Sequence, residues 1–176
     1  MKKNQKHPDK AVSLSPSLER VPPQNIEAEM AVLGSMLIEE DAIPVAIEHL
    51  KADDFYQESH KRIYSGIVEL YDQRKAVDLV TLVEKLKTEG SIDLVGGASY
   101  LSGLTNVVPT AGNVAHYARI VKEKNILRLL INHATHIVTN AYETDEGVDH
   151  VLDKAEKMIF EIAERRVGKS SIIPIK

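Results

Sequence analysis

Ile26, Met30, Leu33 and Leu37 recur at steps of four, three and four, which places them on one face of a helix. Asn25 stands ready to cap it, and Glu27 and Glu29 suit the positive end of its dipole. Gly34 gives up about 1 kcal/mol of helix propensity, so it predicts a place where another helix comes close. A short helix over 42–50 follows, with Asp41 as its cap and Pro44 still within the first turn, where a missing N–H is harmless. Phe55 and Tyr56 are bulky anchors. A longer helix over 58–74 puts Ile63, Ile67 and Leu70 on one stripe, widened by Tyr64, Val68 and Tyr71. Asp78 caps the next pattern, Leu79, Leu82, Val83 and Leu86, and Gly90 sits where a left-handed cap belongs. Beyond it Gly96-Gly97 marks a turn, 98–104 a short helix, and Val107-Val108-Pro109 an extended connector. These pieces make a small helical head over 20–112.

The pattern then changes. From 113 to 142 there are 30 residues without Pro or Gly, enough for a rod of about 45 Å. Ile120, Leu127, Ala134 and Ala141 fall seven apart, Leu130 and Ile137 take the complementary heptad position, and Ile131 and Val138 widen the stripe. After a polar turn at 143–147, Val148, Leu152, Ala155, Ile159 and Ile162 repeat at four, three, four and three. The expected fold is therefore all-α: the head followed by a long antiparallel hairpin over 113–166. Its seam is predicted to join Ile120, Leu127, Leu130 and Ala134 to Val148, Leu152, Ile159 and Ile162. The arms differ in length, which leaves apolar surface on the first uncovered. At about 1.5 to 3 kcal/mol per large side chain removed from water, that surface predicts self-association; the competing expectation is a hairpin folded back on its own head.

Composition narrows the class. In 176 residues there is no Cys, which removes disulfides, thiolate nucleophiles and thiolate metal sites and fits a reducing, cytoplasmic setting. No apolar run approaches the roughly 18 to 20 residues of a membrane span. Residues 1–19, with Lys2, Lys3, Lys6 and Lys10, read as a flexible basic arm, either a solvated tail or a tether for nucleic acid or an acidic partner. Residues 167–176 read as the start of a linker to an absent further domain. Net charge runs +3 over 1–20, −8 over 21–112, −1 over 113–166 and +2 over 167–176. A domain that grips phosphate backbones needs a basic stripe, so little direct DNA binding is expected of the folded region.

Catalytic chemistry is hard to find. Gly168-Lys169-Ser170 ends like a phosphate-binding loop, but Ala163 stands where its first Gly belongs, and a helix rather than a strand is expected to precede it. His133 and His136 lie three apart with no carboxylate between them, unlike the metalloprotease pattern. Glu39-Glu40-Asp41 and Asp53-Asp54 suit helix starts better than acid–base catalysis. No catalytic, cofactor or metal site is predicted.

The order of several blocks is more specific. Arg20-Val21-Pro22-Pro23-Gln24-Asn25-Ile26-Glu27-Ala28-Glu29, with Ala31-Val32-Leu33-Gly34, resembles the opening of bacterial replicative DNA helicases of the DnaB family. Asp54-Phe55-Tyr56, Asp78-Leu79-Val80-Thr81, Gly96-Gly97-Ala98-Ser99-Tyr100-Leu101, and Val108-Pro109-Thr110-Ala111-Gly112-Asn113 with Tyr117-Ala118-Arg119-Ile120-Val121 are similar to that family's amino-terminal domain. The resemblance implies a non-catalytic collar domain of a hexameric ring, self-associating as a dimer or trimer of dimers. It also implies docking of the primase carboxy-terminal domain, with a helicase loader as a further candidate partner. ATP and magnesium would belong to the motor domain of the implied parent, an ATP-dependent helicase. Tyr100, Ile131 and Ile137 match family positions and become candidates for primase contact or collar geometry, against plain intrachain packing. An independent helical-hairpin dimerisation adaptor unrelated to replication is the alternative.

Overall fold

The computed structural model describes residues 21–108, 110–143 and 147–167. The basic arm expected at 1–19, and all but the first residue of the linker expected at 167–176, lie outside them. The described residues hold seven α-helices: α1 (Ile26–Ile38), α2 (Ala42–His49), α3 (Glu58–Asp72), α4 (Leu79–Thr88), α5 (Gly97–Leu104), α6 (Val114–Glu143) and α7 (Val148–Val167). Single 3₁₀ turns at Ala52–Asp54, Asp93–Val95 and Ala111–Asn113 link them, and no strand occurs among the described residues. The all-α architecture of head plus hairpin follows.

Local signals set most helix ends. Asn25 accepts the Ala28 N–H at 2.9 Å and starts α1. Asp78 and Thr81 exchange bonds in a capping box at α4, and the Thr81 backbone N–H holds the Asp78 carboxyl below its ordinary range. Gly90, Gly96 and Gly97 all take positive φ, closing α4 and opening α5. Asp41 is a correction: its side chain makes no capping bond, and the N–H groups of Ala42 and Ile43 donate instead to the Glu39 and Glu40 carbonyls.

α1 departs further from expectation. The spacing marks one apolar face, yet Ala28, Glu29 and every residue from Ala31 to Leu37 are buried, so α1 is the central helix of the head. Small residues make this possible, because Ala28, Ala31, Gly34 and Ser35 let neighbouring elements come close on the sides the large residues do not fill. The closest approach is at Gly34, where a Cβ would lie 2.3 Å from the Leu104 carbonyl oxygen at the end of α5. Around α1 pack Ile43 and Ala46 of α2, Ile63 and Ile67 of α3, and Leu101 and Leu104 of α5, while Leu82 and Leu86 of α4 join the same core from the far side of α3 and α5. The first half of α6 closes the core with Val114, Ala118 and Val121, buried at steps of four and three. One unbroken helix thus belongs to the head at its start and to the hairpin at its end.

Gly34→Ala tests the close approach. Alanine is the better helix former by about 1 kcal/mol, but a methyl here meets backbone rather than a movable side chain. The net effect is a loss of about 1 to 3 kcal/mol in urea unfolding. Gly103→Ala in α5, with nothing within 4 Å of the added carbon, should instead gain up to about 1 kcal/mol.

Candidate assembly surface: the helical hairpin and its root

Where the hairpin leaves the head, α6 is held by polar bonds. Asp54, buried at the end of a 3₁₀ turn, accepts the Lys122 ammonium at 2.9 and 3.0 Å and the Asn125 amide at 2.6 Å. Its own turn supplies a further donor, the Lys51 N–H at 2.7 Å. One turn on, Arg128 donates to the Asp54 carbonyl at 2.6 Å and the Pro23 carbonyl at 2.8 Å, and its guanidinium lies 5.6 Å from the Tyr56 ring centre. Burial holds the Arg128 group below its ordinary value, while the charges of Glu29 and Asp54 oppose that shift. Lys122, Asn125 and Arg128 recur at three and three, so one face of α6 carries the whole clamp. Between Asp54 and Tyr56, Phe55 enters the core against Tyr64, ring centres 5.0 Å apart. Each residue of Asp54-Phe55-Tyr56 therefore has its own contact.

A second polar chain runs behind this strap. Glu29 of α1, 1 % exposed, accepts the Tyr56 N–H at 2.6 Å, with the Gln57 N–H further off at 3.4 Å. His60 of α3, fully enclosed, places Nδ1 2.6 Å from Glu29 Oε2 and Nε2 2.6 Å from the Tyr100 hydroxyl. Burial first, then the Glu29 charge, push the Tyr100 hydroxyl above its ordinary value, which keeps it a phenol.

Past Arg128 the hairpin has two unlike sides. On α6 the half-buried residues Ile126, Leu129, His133, Ile137 and Asn140 recur at three, four, four and three; on α7 Val151, Ala155, Met158 and buried Ile162 recur at four, three and four. Their spacing and burial mark the seam. About a third of a turn round α6 from it lie Leu127, Leu130, Ile131, Ala134 and Val138, all exposed. On α7, Val148, Leu152 and Ile159 are exposed at a similar offset. Both stripes lie in the same rotational sense from the seam, and in an antiparallel pair that puts them on one side of the hairpin. The opposite side is a groove of about 480 Å³ lined by His133, His136, Asn140, Lys154, Lys157, Met158 and Glu161.

The expected seam is thereby corrected. Leu127, Leu130, Ala134, Val148, Leu152 and Ile159 stand on the open apolar side, not between the helices. Ile120 packs half-buried against the head, and Ile162 is buried in the seam. The physical reason is that apolar residues cover two adjacent arcs of α6 in the same phase, and the arc carrying His133 and Asn140 is the one that α7 covers. His133 Nδ1 is enclosed without a hydrogen-bond partner among the described residues, so this seam is a weak one. Tyr100, Ile131 and Ile137 occupy three different settings: a polar chain in the head, the open apolar side and the seam.

With this geometry in view, comparison with known proteins defines the class. Residues 21–123 match the family described as "DnaB-like helicase N terminal domain", and the chain belongs to that family. It is 47 % identical over 148 residues to the replicative DNA helicase DnaC of Bacillus subtilis, covering 84 % of this chain and 33 % of that protein. It is 40 % identical over 164 residues to the replicative DNA helicase DnaB of Mycobacterium leprae, covering 92 % and 27 %. The chain thus spans about a quarter to a third of the length of these two relatives. Among solved structures, the N-terminal domain of DnaB helicase from Mycobacterium tuberculosis aligns with a TM-score of 0.77 at 39 % identity, covering 80 % of this chain and 99 % of that one. A DnaB-like replicative helicase, described with its interactions with primase, aligns with a TM-score of 0.66 at 25 % identity, covering 80 % and 31 %. Among the described residues no helix is long and apolar enough to cross a membrane.

The Asp54 clamp was missed in the sequence because its partners are 68 and 71 residues away. Asp54→Ala should cost about 2 to 4 kcal/mol in urea unfolding. It leaves Asn125 and Lys122 without their acceptor, and the partial exposure of Lys122 keeps the loss below that of a fully enclosed pair.

Proposed function

We propose that the chain is the assembly and docking domain of a replicative helicase. The open apolar side of the hairpin pairs with the same side of a second copy, and such dimers build the collar of a ring. The observation that carries this is the row Leu127, Leu130, Ile131 and Val138 beside Val148, Leu152 and Ile159, each between 43 % and 75 % exposed. Apolar surface of this extent on one side of two helices gains free energy by leaving water. A twofold pairing of identical copies uses every residue of it twice.

Family membership supports the replicative setting over an unrelated adaptor, and the solved helicase described with primase supports docking of a primase carboxy-terminal domain on the collar. The site residues fit this reading in different ways. Ile131 is exposed for direct contact, Ile137 shapes the seam beneath, and Tyr100 belongs to the head. ATP and magnesium chemistry would belong to the motor of the longer protein, and a loader would be a further partner. The head's excess of carboxylates supports ring-building rather than a grip on DNA.

Leu130→Glu tests the pairing. Leu130 is 43 % exposed, so loss of its covered part should lower monomer stability by about 1 to 2 kcal/mol, which urea unfolding reads separately. Each dimer carries the change twice, and only the exposed part of each side chain is left for a partner to cover, so loss of about 1 to 3 kcal/mol of burial weakens dimerisation by about 10 to 10²-fold in sedimentation equilibrium. An unaltered dimer constant would refute the pairing, and primase-domain titration of the same variant shows whether docking needs the dimer.

A further inference from the structure

We propose that Glu29 and His60 are positioning residues which connect Tyr100, at the half-exposed edge of α5, to the root of the hairpin, so that engagement of the Tyr100 hydroxyl resets the direction of α6. The proposal concerns geometry within one chain and stands whether or not the pairing above is correct.

The chain of contacts is continuous and crosses five elements. Tyr100 of α5 meets His60 of α3 at 2.6 Å, and His60 meets Glu29 of α1 at 2.6 Å. Glu29 holds the backbone N–H of Tyr56 at 2.6 Å. Residues 54–57 are therefore a strap gripped from both sides, by Glu29 on one and by Lys122, Asn125 and Arg128 of α6 on the other. Apart from the Arg128 bond to the Pro23 carbonyl, the side-chain bonds of this clamp end on the strap.

The His60 ring supplies the two-state element such a link requires. Neutral imidazole carries one proton. With Nδ1–H donating to the Glu29 carboxylate, Nε2 is an acceptor and takes the Tyr100 O–H. If another acceptor captures that O–H, Nε2 is left buried and unpaired, in a site that is fully enclosed. Leaving such a group without a partner costs about 1 to 3 kcal/mol, which favours re-pairing of the ring by turning or exchanging its tautomer. Either response alters the donor facing Glu29, and with it the bond that holds Tyr56 N–H. A structural network with no such role would bury three apolar residues here more cheaply. Of Tyr100, His60 and Glu29, Tyr100 is the one that is partly exposed, which makes it the position at which an outside group could act.

The chain contains no cysteine, so two can be introduced cleanly for spin labels, at Glu84→Cys on α4 and Thr139→Cys on the outer part of α6. Labelled chain diluted into excess unlabelled chain reports distances within one molecule. Tyr100→Phe removes only the hydroxyl. It should shift or broaden the label distance by about 2 Å, the scale of helix shifts between packed states, and speed exchange of the Tyr56 and Gln57 amides by about tenfold. Glu29→Gln should do the same, while Ile67→Val, a core change two turns along α3 from His60 that removes no hydrogen-bonding group, should leave both readouts at their wild-type values. Unchanged distance in Tyr100→Phe overturns the proposal even if the two amides exchange faster, because the reach of Tyr100 then stops inside the head. An equal response in Ile67→Val overturns it as well, since the effect would then be general softening.

Discussion

One buried carboxylate decides where the hairpin points. A carboxylate enclosed by the core as Asp54 is stays there at low cost only with donors around it, and three of the four hydrogen bonds it accepts come from Lys122 and Asn125 of α6. Slide α6 by one residue or roll it by a quarter-turn and those donors leave, while Arg128 loses the Asp54 and Pro23 carbonyls. Apolar packing of Val114, Ala118 and Val121 against α1 and α2 is less selective, since small shifts between greasy faces change the buried area little. The packing attaches α6 to the head, and the polar bonds fix its rotation. Rotation is what matters beyond Arg128, because it determines which arc of α6 is left for α7 and which is left open.

That partition explains why the hairpin is not a self-sufficient unit. Its seam includes the polar His133 and Asn140 and the small Ala155, whereas the side that α7 leaves bare carries Leu127, Leu130, Ile131 and Val138 beside Val148, Leu152 and Ile159. The sequence has placed its strongest apolar stripe where a single copy cannot bury it. Intrachain stability and association are then linked by mass action: whatever binds the open side also secures the α6–α7 pair beneath it. The head needs no such help, with α1 buried along nearly its whole length.

Much of the fold was legible because it is written in neighbouring residues. Steps of three and four, Asn25 and Asp78 as caps, and Gly90, Gly96 and Gly97 at turns all act within one helix or its ends. Gly34 was legible too, as a demand for close approach, though the Leu104 carbonyl that makes it was not. What failed shares one cause. Asp54 looked like a helix-start carboxylate, which it also is through Lys51 N–H, and nothing local signals Lys122 or Asn125. Glu29 looked like a dipole partner of α1, yet its bonds go to Tyr56 and His60. The heptad pattern of α6 was real but ambiguous, since two adjacent stripes share a period and only tertiary packing tells the covered from the open one. The family resemblance supplied what the residues alone did not, an order of blocks, and the structure then gave Asp54-Phe55-Tyr56 a physical meaning.

The continuity of α6 has a mechanical side. From Arg128 to Glu143 it runs on for about 22 Å at about 1.5 Å per residue, with no Pro or Gly to bend it. A tilt of about 10° at the mooring would carry the far end sideways by about 4 Å, most of a helical pitch. In the ring proposed above, with copies joined through these rods, each angular error would be inherited by the next joint and would accumulate around the circuit. A stiff spoke on a loose hub could not close, which gives the bonds at Asp54 an importance measured in degrees as much as in kilocalories.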